Sequence, residues 1–149
     1  DQYFQIDALH NAFDRDARAS SHPLVFEISK AEDVIEAFDS ITYDKGGSVL
    51  RMVQFVMGEE NFRKGLTIYL NRFKYKNAEH RDLWNALNEA VPSSLKDWSG
   101  DKFDVNEFAK LWTRQMGYPV IEVKRLDEHR VELTQRRFKL DEESLENPK

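Results

Sequence analysis

The chain has 149 residues, of which 40% are hydrophobic and 33% are charged, and its formal net charge is -5. This length is typical of one globular domain, or of one domain plus part of another. The absence of cysteine excludes disulfides, zinc fingers, iron–sulfur sites and thiol catalysis. The acidic balance argues against a nucleic-acid partner, which needs a clustered surplus of Lys and Arg. No apolar run approaches the roughly 18 to 20 residues that span a bilayer, so we expect no membrane contact within this segment.

The first half of the chain has the apolar spacing of successive helices. Apolar residues at intervals of three and four predict an amphipathic helix over residues 2–19, and a proline then favours an extended connector over residues 20–28. A short helix is expected over residues 31–38, with Ser29 as its cap. Thr42 is expected to cap the next helix. The apolar positions of that helix are Val49, Leu50, Val53, Val56 and Met57.

The second half continues the helical pattern and then changes to strands. Gly58 ends the preceding helix, and the acidic pair after it suits the positive end of a new one. The stripe expected to face inward on that new helix consists of Phe62, Leu66, Tyr69, Leu70 and Phe73. Further helices are expected over about residues 79–91 and 104–116. The second of these carries inward residues that include Leu111, and Gly117 is expected to be its C-terminal cap.

After the last helix the apolar period changes from about 3.6 to 2, which predicts a β-hairpin with its turn at residues 126–129. Two strands alone are marginal in water. An open edge also invites pairing with another strand. We therefore expect this hairpin either to belong to a larger sheet or to self-associate with another copy of the chain.

Residue types alone do not supply a complete catalytic site. The histidines never fall at the i, i+4 spacing that places two imidazoles on one helical face for zinc. They are His10, His22, His80 and His129. No metal site can be assembled from local spacing, so we expect this chain to bind no cofactor. The adjacent Gly46 and Gly47 each lower helix stability by about 1 kcal/mol relative to alanine. Their presence indicates either close packing or a nearby substrate.

Several motifs occur in an order that resembles one peptidase family. Residues 38–52 read Phe-Asp-Ser-Ile-Thr-Tyr-Asp-Lys-Gly-Gly-Ser-Val-Leu-Arg-Met. They resemble the segment Phe-Asp-x-Ile-Ser-Tyr-x-Lys-Gly-Ala-Ser-Val-Leu-Arg-Met of the zinc-dependent aminopeptidases of the aminopeptidase N, puromycin-sensitive and endoplasmic-reticulum type. Ser-Ser-His-Pro at 20–23, the helical motifs over 65–84 and the helix-to-strand junction at 112–121 are similar to the same family. The resemblance extends from about residue 8 to about residue 137.

The resemblance implies a mainly α fold, namely the C-terminal helical half of a thermolysin-like catalytic domain followed by the first β-hairpin of a β-sandwich domain. Residues 1–117 would form the helical subdomain, 118–140 the first strands of the sandwich, and 141–149 a loose acidic tail. The chain begins with Asp1 and without a targeting pattern, so we expect a piece of a longer protein. The family's zinc ligands, an His-Glu-x-x-His segment and a second glutamate, would then lie upstream in the parent enzyme.

The resemblance also implies a role for Tyr43. In the family, the tyrosine at this position donates a hydrogen bond to the oxyanion of the tetrahedral intermediate, and a phenol suits that role as a neutral donor at pH 7. The departures are small, because Thr42 replaces the usual serine and Gly47 the usual alanine. The alternative is that Tyr43 is a helix-start residue packed against its neighbours.

The function that follows is a fragment of a zinc metallo-aminopeptidase, a hydrolase that removes amino-terminal residues from peptide substrates, inactive by itself. The alternative is a non-catalytic helical interaction module or a pseudo-aminopeptidase that kept the scaffold. Compartment is not determined by the sequence, although the junction at residues 112–121 is most similar to membrane-anchored ectoenzymes, with a cytoplasmic location as the alternative.

Overall fold

The structure, a computed structural model, describes residues 2–141. The described chain is mainly helical and ends in an antiparallel hairpin, so the predicted fold class is confirmed. It divides into two compact units, the first made of residues up to Gly46 together with those from Arg114 onward, and the second of Gly47–Thr113. Apart from its first residue, the acidic tail predicted at 141–149 lies outside the described residues.

The first unit begins with a helical segment whose middle turn is π-helical. This agrees with the helix predicted at the start of the chain, although it ends at Asp16 rather than at residue 19. The next helix starts after Lys30, which occupies the N-cap position without a side-chain hydrogen bond. The prediction that Ser29 caps it was therefore wrong, because the helix starts one residue too late for that side chain. The helical segments are α1 (Gln2–Phe4), π1 (Gln5–Leu9), α2 (His10–Asp16), α3 (Ala31–Glu36) and π2 (Ile41–Lys45).

The predicted hairpin is present in the first unit as strands β1 (Pro119–Arg125) and β2 (Val131–Arg137). The strands are antiparallel, and Val123 lies opposite Leu133. Opposed residues share a face of the sheet, so this register places four apolar side chains on one side. All four of these side chains are exposed: Ile121, Val123, Val131 and Leu133.

The second unit consists of helices that pack through their apolar faces. Gly58 separates the first two with a φ of 78°, a backbone conformation that glycine adopts without a steric penalty. Gly65 lies so close to the next helix that an added Cβ would be 2.8 Å from Leu87 Cδ2. The bounds are α4 (Gly46–Met57), whose first residue belongs to the first unit, α5 (Glu59–Phe73), α6 (His80–Glu89) and α7 (Val105–Thr113).

Three apolar positions of the predicted stripes are exposed in the second unit, and one of them, Val56, is 37% exposed. Leu70 and Leu111 were predicted to face inward, but they are 64% and 60% exposed. Each lies about 100° or more around its helix axis from the residues of that helix that are buried. Gly117 was also predicted to cap α7, but α7 ends at Thr113. The core positions are Val49, Val53, Met57, Trp84, Ala86, Leu87, Ala90, Val91, Val105 and Ala109. Among residues 2–141, the helices are too short or too polar to cross a membrane.

Candidate active site

Tyr43 lies in the π-helical turn π2, directly before α4. Its side chain is 62% exposed, and its ring centroid is 6.2 Å from that of Phe38, within the range of favourable aromatic contact. The ring thus has an aromatic neighbour on one side and presents its phenol at the surface of the first unit. This exposure is compatible with a hydrogen bond to a bound molecule.

The turn that carries Tyr43 is anchored on both sides of it. Ile41 is completely buried and Lys45 is 5% exposed, so the two ends of π2 point inward while Tyr43 between them points outward. Isolated π-helical turns are uncommon and occur frequently at functional sites. The local fold therefore presents Tyr43 on a fixed support.

Asp39 organises the start of this turn. Its Oδ1 accepts hydrogen bonds from the backbone amides of Ile41 and Thr42, at 2.9 and 3.1 Å. Its backbone carbonyl accepts a third from the amide of Tyr43, at 3.1 Å. The prediction that Thr42 is the cap was wrong, because the Thr42 hydroxyl donates to the carbonyl of Ala37 instead. Asp39 is an equally suitable residue type for this role.

The second carboxylate oxygen of Asp39 faces two basic side chains. His22 Nε2 lies 2.9 Å from Oδ2 and Arg15 Nη2 lies 3.7 Å from it. Partial burial raises the pKa of Asp39, but the hydrogen bonds from Thr42, His22 and Ile41 and the charge of His22 together lower that pKa below its ordinary value. Asp39 is therefore ionised at neutral pH.

A buried ion pair joins the other end of the turn to α2. Lys45 Nζ lies 2.8 Å from Asp16 Oδ2 and donates to the backbone carbonyl of Gln115 at 2.9 Å. Asp16 Oδ1 accepts from the Ser21 hydroxyl at 2.6 Å and from the Gly117 amide at 2.7 Å. Because several hydrogen bonds accompany the charges, this pair meets the condition under which buried ions are tolerated.

The sequence alone gave no role to these supporting residues. His22, Asp39 and Lys45 lie within the motifs that carry the resemblance, but their partners are distant in the chain. Asp16 stands in a helix with no motif around it, and only the structure shows that it pairs with Lys45. Membership in a motif could therefore have indicated a supporting role for three of these four residues.

The adjacent glycines at the start of α4 differ in their surroundings. A Cβ added to Gly46 would make an ordinary contact with Leu24 at 3.5 Å. Apart from its chain neighbours and the backbone of its own helix, Gly47 has no described atom within 4 Å of such a Cβ. Close packing by the described residues therefore does not explain Gly47.

Residues 2–141 contain no group of three or more His, Asp or Glu side chains placed to hold a metal ion. A catalytic zinc site normally uses three protein ligands. The described side chains thus do not fit a zinc ion, and no step of a reaction can be assigned here through one.

Comparison with known proteins identifies the chain's relatives. Residues 1–112 match the peptidase family M1 domain. Aminopeptidase N of Haemonchus contortus is 44% identical over 99% of the chain. Aminopeptidase M1-C of Oryza sativa is 43% identical over 91%, and the thyrotropin-releasing hormone-degrading ectoenzyme of Rattus norvegicus is 40% identical over 94%. These matches cover only 15%, 14% and 13% of the respective relatives.

Proposed function

Because the chain belongs to peptidase family M1, we propose that it is part of a zinc metallo-aminopeptidase that removes amino-terminal residues from peptides. The support comes from the names of the relatives, two of which are aminopeptidases and one an ectoenzyme that degrades thyrotropin-releasing hormone. The chain spans about a seventh of the length of these relatives, so the activity is assigned to a larger protein, and this chain alone is inactive.

Tyr43 is the residue of this chain that takes part in the reaction. The observation that carries this assignment is its exposed phenol on a turn whose two ends are anchored. A donor aimed in advance at the developing oxyanion stabilises the transition state without reorganisation. In the parent enzyme, zinc would supply the polarised carbonyl and the activated water. Its ligands come from outside these 149 residues, because the sequence has no His-Glu-x-x-His segment.

We also propose the domain assignment suggested by the resemblance. Residues 1–117 belong to the helical part of the catalytic domain, and 118–140 are the first strands of a β-sandwich. The match to the family domain ends at residue 112, ahead of β1, which supports a boundary near the helix-to-strand junction. The open edges of the hairpin, which is two-stranded within the described residues, support a continuing sheet, and its exposed apolar face supports a second layer packed against it.

The test is the substitution Tyr43→Phe in the full-length enzyme that contains this chain. The change removes the hydroxyl and keeps the ring, so kcat should fall by about 10²- to 10³-fold, the usual cost of one oxyanion donor. KM and zinc content should change little, because the lost interaction exists only in the transition state. Tyr75→Phe is the matched control, since Tyr75 is also exposed, at 98%, and should retain wild-type kinetics.

Full activity of Tyr43→Phe would show that Tyr43 is a packing residue. A loss that merely parallels lost zinc or lost folding would have the same meaning. A full-length sequence without an His-Glu-x-x-His segment would instead support the pseudo-enzyme or interaction module.

A further inference from the structure

We propose that His22 and Asp39 are positioning residues for Tyr43, which hold the first turn of π2 so that the phenol meets the oxyanion. The inference rests on the proposed function of Tyr43 and extends it to two residues that do not contact the substrate. It assigns a purpose to the Ser-Ser-His-Pro motif, which lies far from Tyr43 in the sequence.

Asp39 reaches Tyr43 through the backbone. Three successive amides, those of Ile41, Thr42 and Tyr43, donate to the side chain or carbonyl of this one residue. Since the ring of Tyr43 is mostly exposed, packing alone does not fix it, and its position depends on the backbone of its turn. A displacement of Asp39 therefore displaces Tyr43. Errors of about 1 Å in the placement of a reacting group can cost about 10²-fold in rate.

His22 in turn holds Asp39. Its Nε2 lies 2.9 Å from Asp39 Oδ2, and its Nδ1 lies 2.7 Å from the carbonyl oxygen of Pro23. Both partners are hydrogen-bond acceptors, so the two ring nitrogens join the connector to Asp39. Because Asp39 is ionised, its bond with His22 is charge-assisted, about twice as strong as a neutral one. An edge contact with Phe26, with ring centroids 4.7 Å apart, fixes the imidazole plane.

Contacts on both oxygens restrain the plane of the Asp39 carboxylate. His22 and Arg15 both face Oδ2, while the amides of Ile41 and Thr42 face Oδ1. A partial rotation of the carboxylate would lengthen the contacts on both sides. Asp39 is thus fixed between the connector after α2 and the turn that carries Tyr43.

The test compares two amide side chains at position 22 in the full-length enzyme. Glutamine in His22→Gln has its NH2 group at the same number of bonds from Cα as Nε2, so it can still donate to Asp39. Asparagine in His22→Asn is one methylene shorter and cannot. We expect kcat of His22→Asn to fall about 10- to 100-fold with KM and zinc content unchanged, and His22→Gln to remain within about threefold of wild type. His129→Asn, in the exposed hairpin loop, is the control and should keep wild-type kinetics.

Asp39→Ser provides a second variant if His22→Asn is poorly folded. Serine can still cap the following amides, but it is too short to reach His22. The expected result is the same fall in kcat with KM unchanged. Full activity in Asp39→Ser, or in folded His22→Asn, would overturn the proposal, as would equal losses in His22→Asn and His22→Gln.

The double variant with Tyr43→Phe separates this inference from the proposed function. If His22 acts through the phenol, adding His22→Asn to Tyr43→Phe should cause no more than about a twofold further loss in kcat. A full additional loss would mean that His22 acts elsewhere, which contradicts the inference but not the role of Tyr43. Full activity of Tyr43→Phe alone would instead refute the proposed function.

Discussion

Replacing Lys45 by methionine should destabilise the first unit by about 3–5 kcal/mol, the typical cost of removing one partner from a buried ion pair. The side chains of Lys45 and Asp16 are 7% and 3% exposed, and their charged atoms are 2.8 Å apart. At that distance, with an effective dielectric constant of about 20, Coulomb attraction amounts to about 6 kcal/mol. Methionine has a similar length, so the variant loses the charge and its hydrogen bonds while largely keeping the packing.

The measurement is amide hydrogen exchange on α2 and π2 in the 149-residue chain. A loss of 3–5 kcal/mol corresponds to exchange that is about 10²- to 10⁴-fold faster. Tryptophan fluorescence would be a poor probe, because all three tryptophans lie in the second unit. Lys110→Met is the control, since Lys110 and Glu107 form an ion pair at 3.4 Å with both side chains more than half exposed. It should change stability by less than about 1 kcal/mol.

A companion variant tests the physical reason for the loss. Adding Asp16→Asn to Lys45→Met removes the uncompensated buried charge, and asparagine can keep the acceptor that binds the Gly117 amide. The double variant should therefore be more stable than Lys45→Met. The reasoning fails if Lys45→Met costs less than about 1 kcal/mol, or if the double variant is the less stable of the two.

Other regions of the chain give further expectations. The hairpin of residues 119–138 should make the isolated chain self-associate through its open edge and apolar face; concentration-independent sedimentation as a monomer with protected strand amides would contradict this. Gly65→Ala should lower the free energy of thermal unfolding by about 1–3 kcal/mol, because the new Cβ would lie 2.9 Å from the Leu87 Cα. Gly47→Ala has open space around the new Cβ, so it should raise the free energy of unfolding by about 0.5–1 kcal/mol. The pKa of Asp39 is lowered in the fold, so its carboxylate stabilises the protein at neutral pH, and this contribution disappears as the pH falls through that pKa. In urea unfolding, Asp39→Ser should therefore lose less stability than wild type between pH 7 and about pH 3.

The elements that sequence reasoning predicted are those set by local periodicity. The helices follow the three- and four-residue spacing of apolar positions, and the hairpin follows the change to a period of two. The capping residues were harder to predict than the helices, because Asp39 and Thr42 are both suitable cap types. Which of them is used depends on where the helix begins, and in the fold the carboxylate of Asp39 is fixed by His22.

The supporting residues of the candidate site depend on distant contacts, which the local pattern does not contain. Lysine is almost never buried without a partner, so the burial of Lys45 follows from the position of Asp16. Leu70 and Leu111 are exposed because the inward line of each helix is set by its neighbours rather than by hydrophobicity alone. The role of Tyr43 was implied by resemblance and stays a prediction.

The long-range contacts of Gly117 affect the order in which the chain folds. Its amide binds Asp16, 101 residues earlier in the sequence, and its carbonyl lies 3.4 Å from Lys45 Nζ. On the ribosome, Asp16 and Lys45 therefore emerge long before their last partner is synthesised. Gly47–Thr113 lies entirely within this interval and can complete its local helical contacts first, since short-range contacts form faster than long-range ones. We expect the first unit to be protease-sensitive in nascent chains that end before residue 117, and to gain protection once the segment that carries Gly117 has left the exit tunnel.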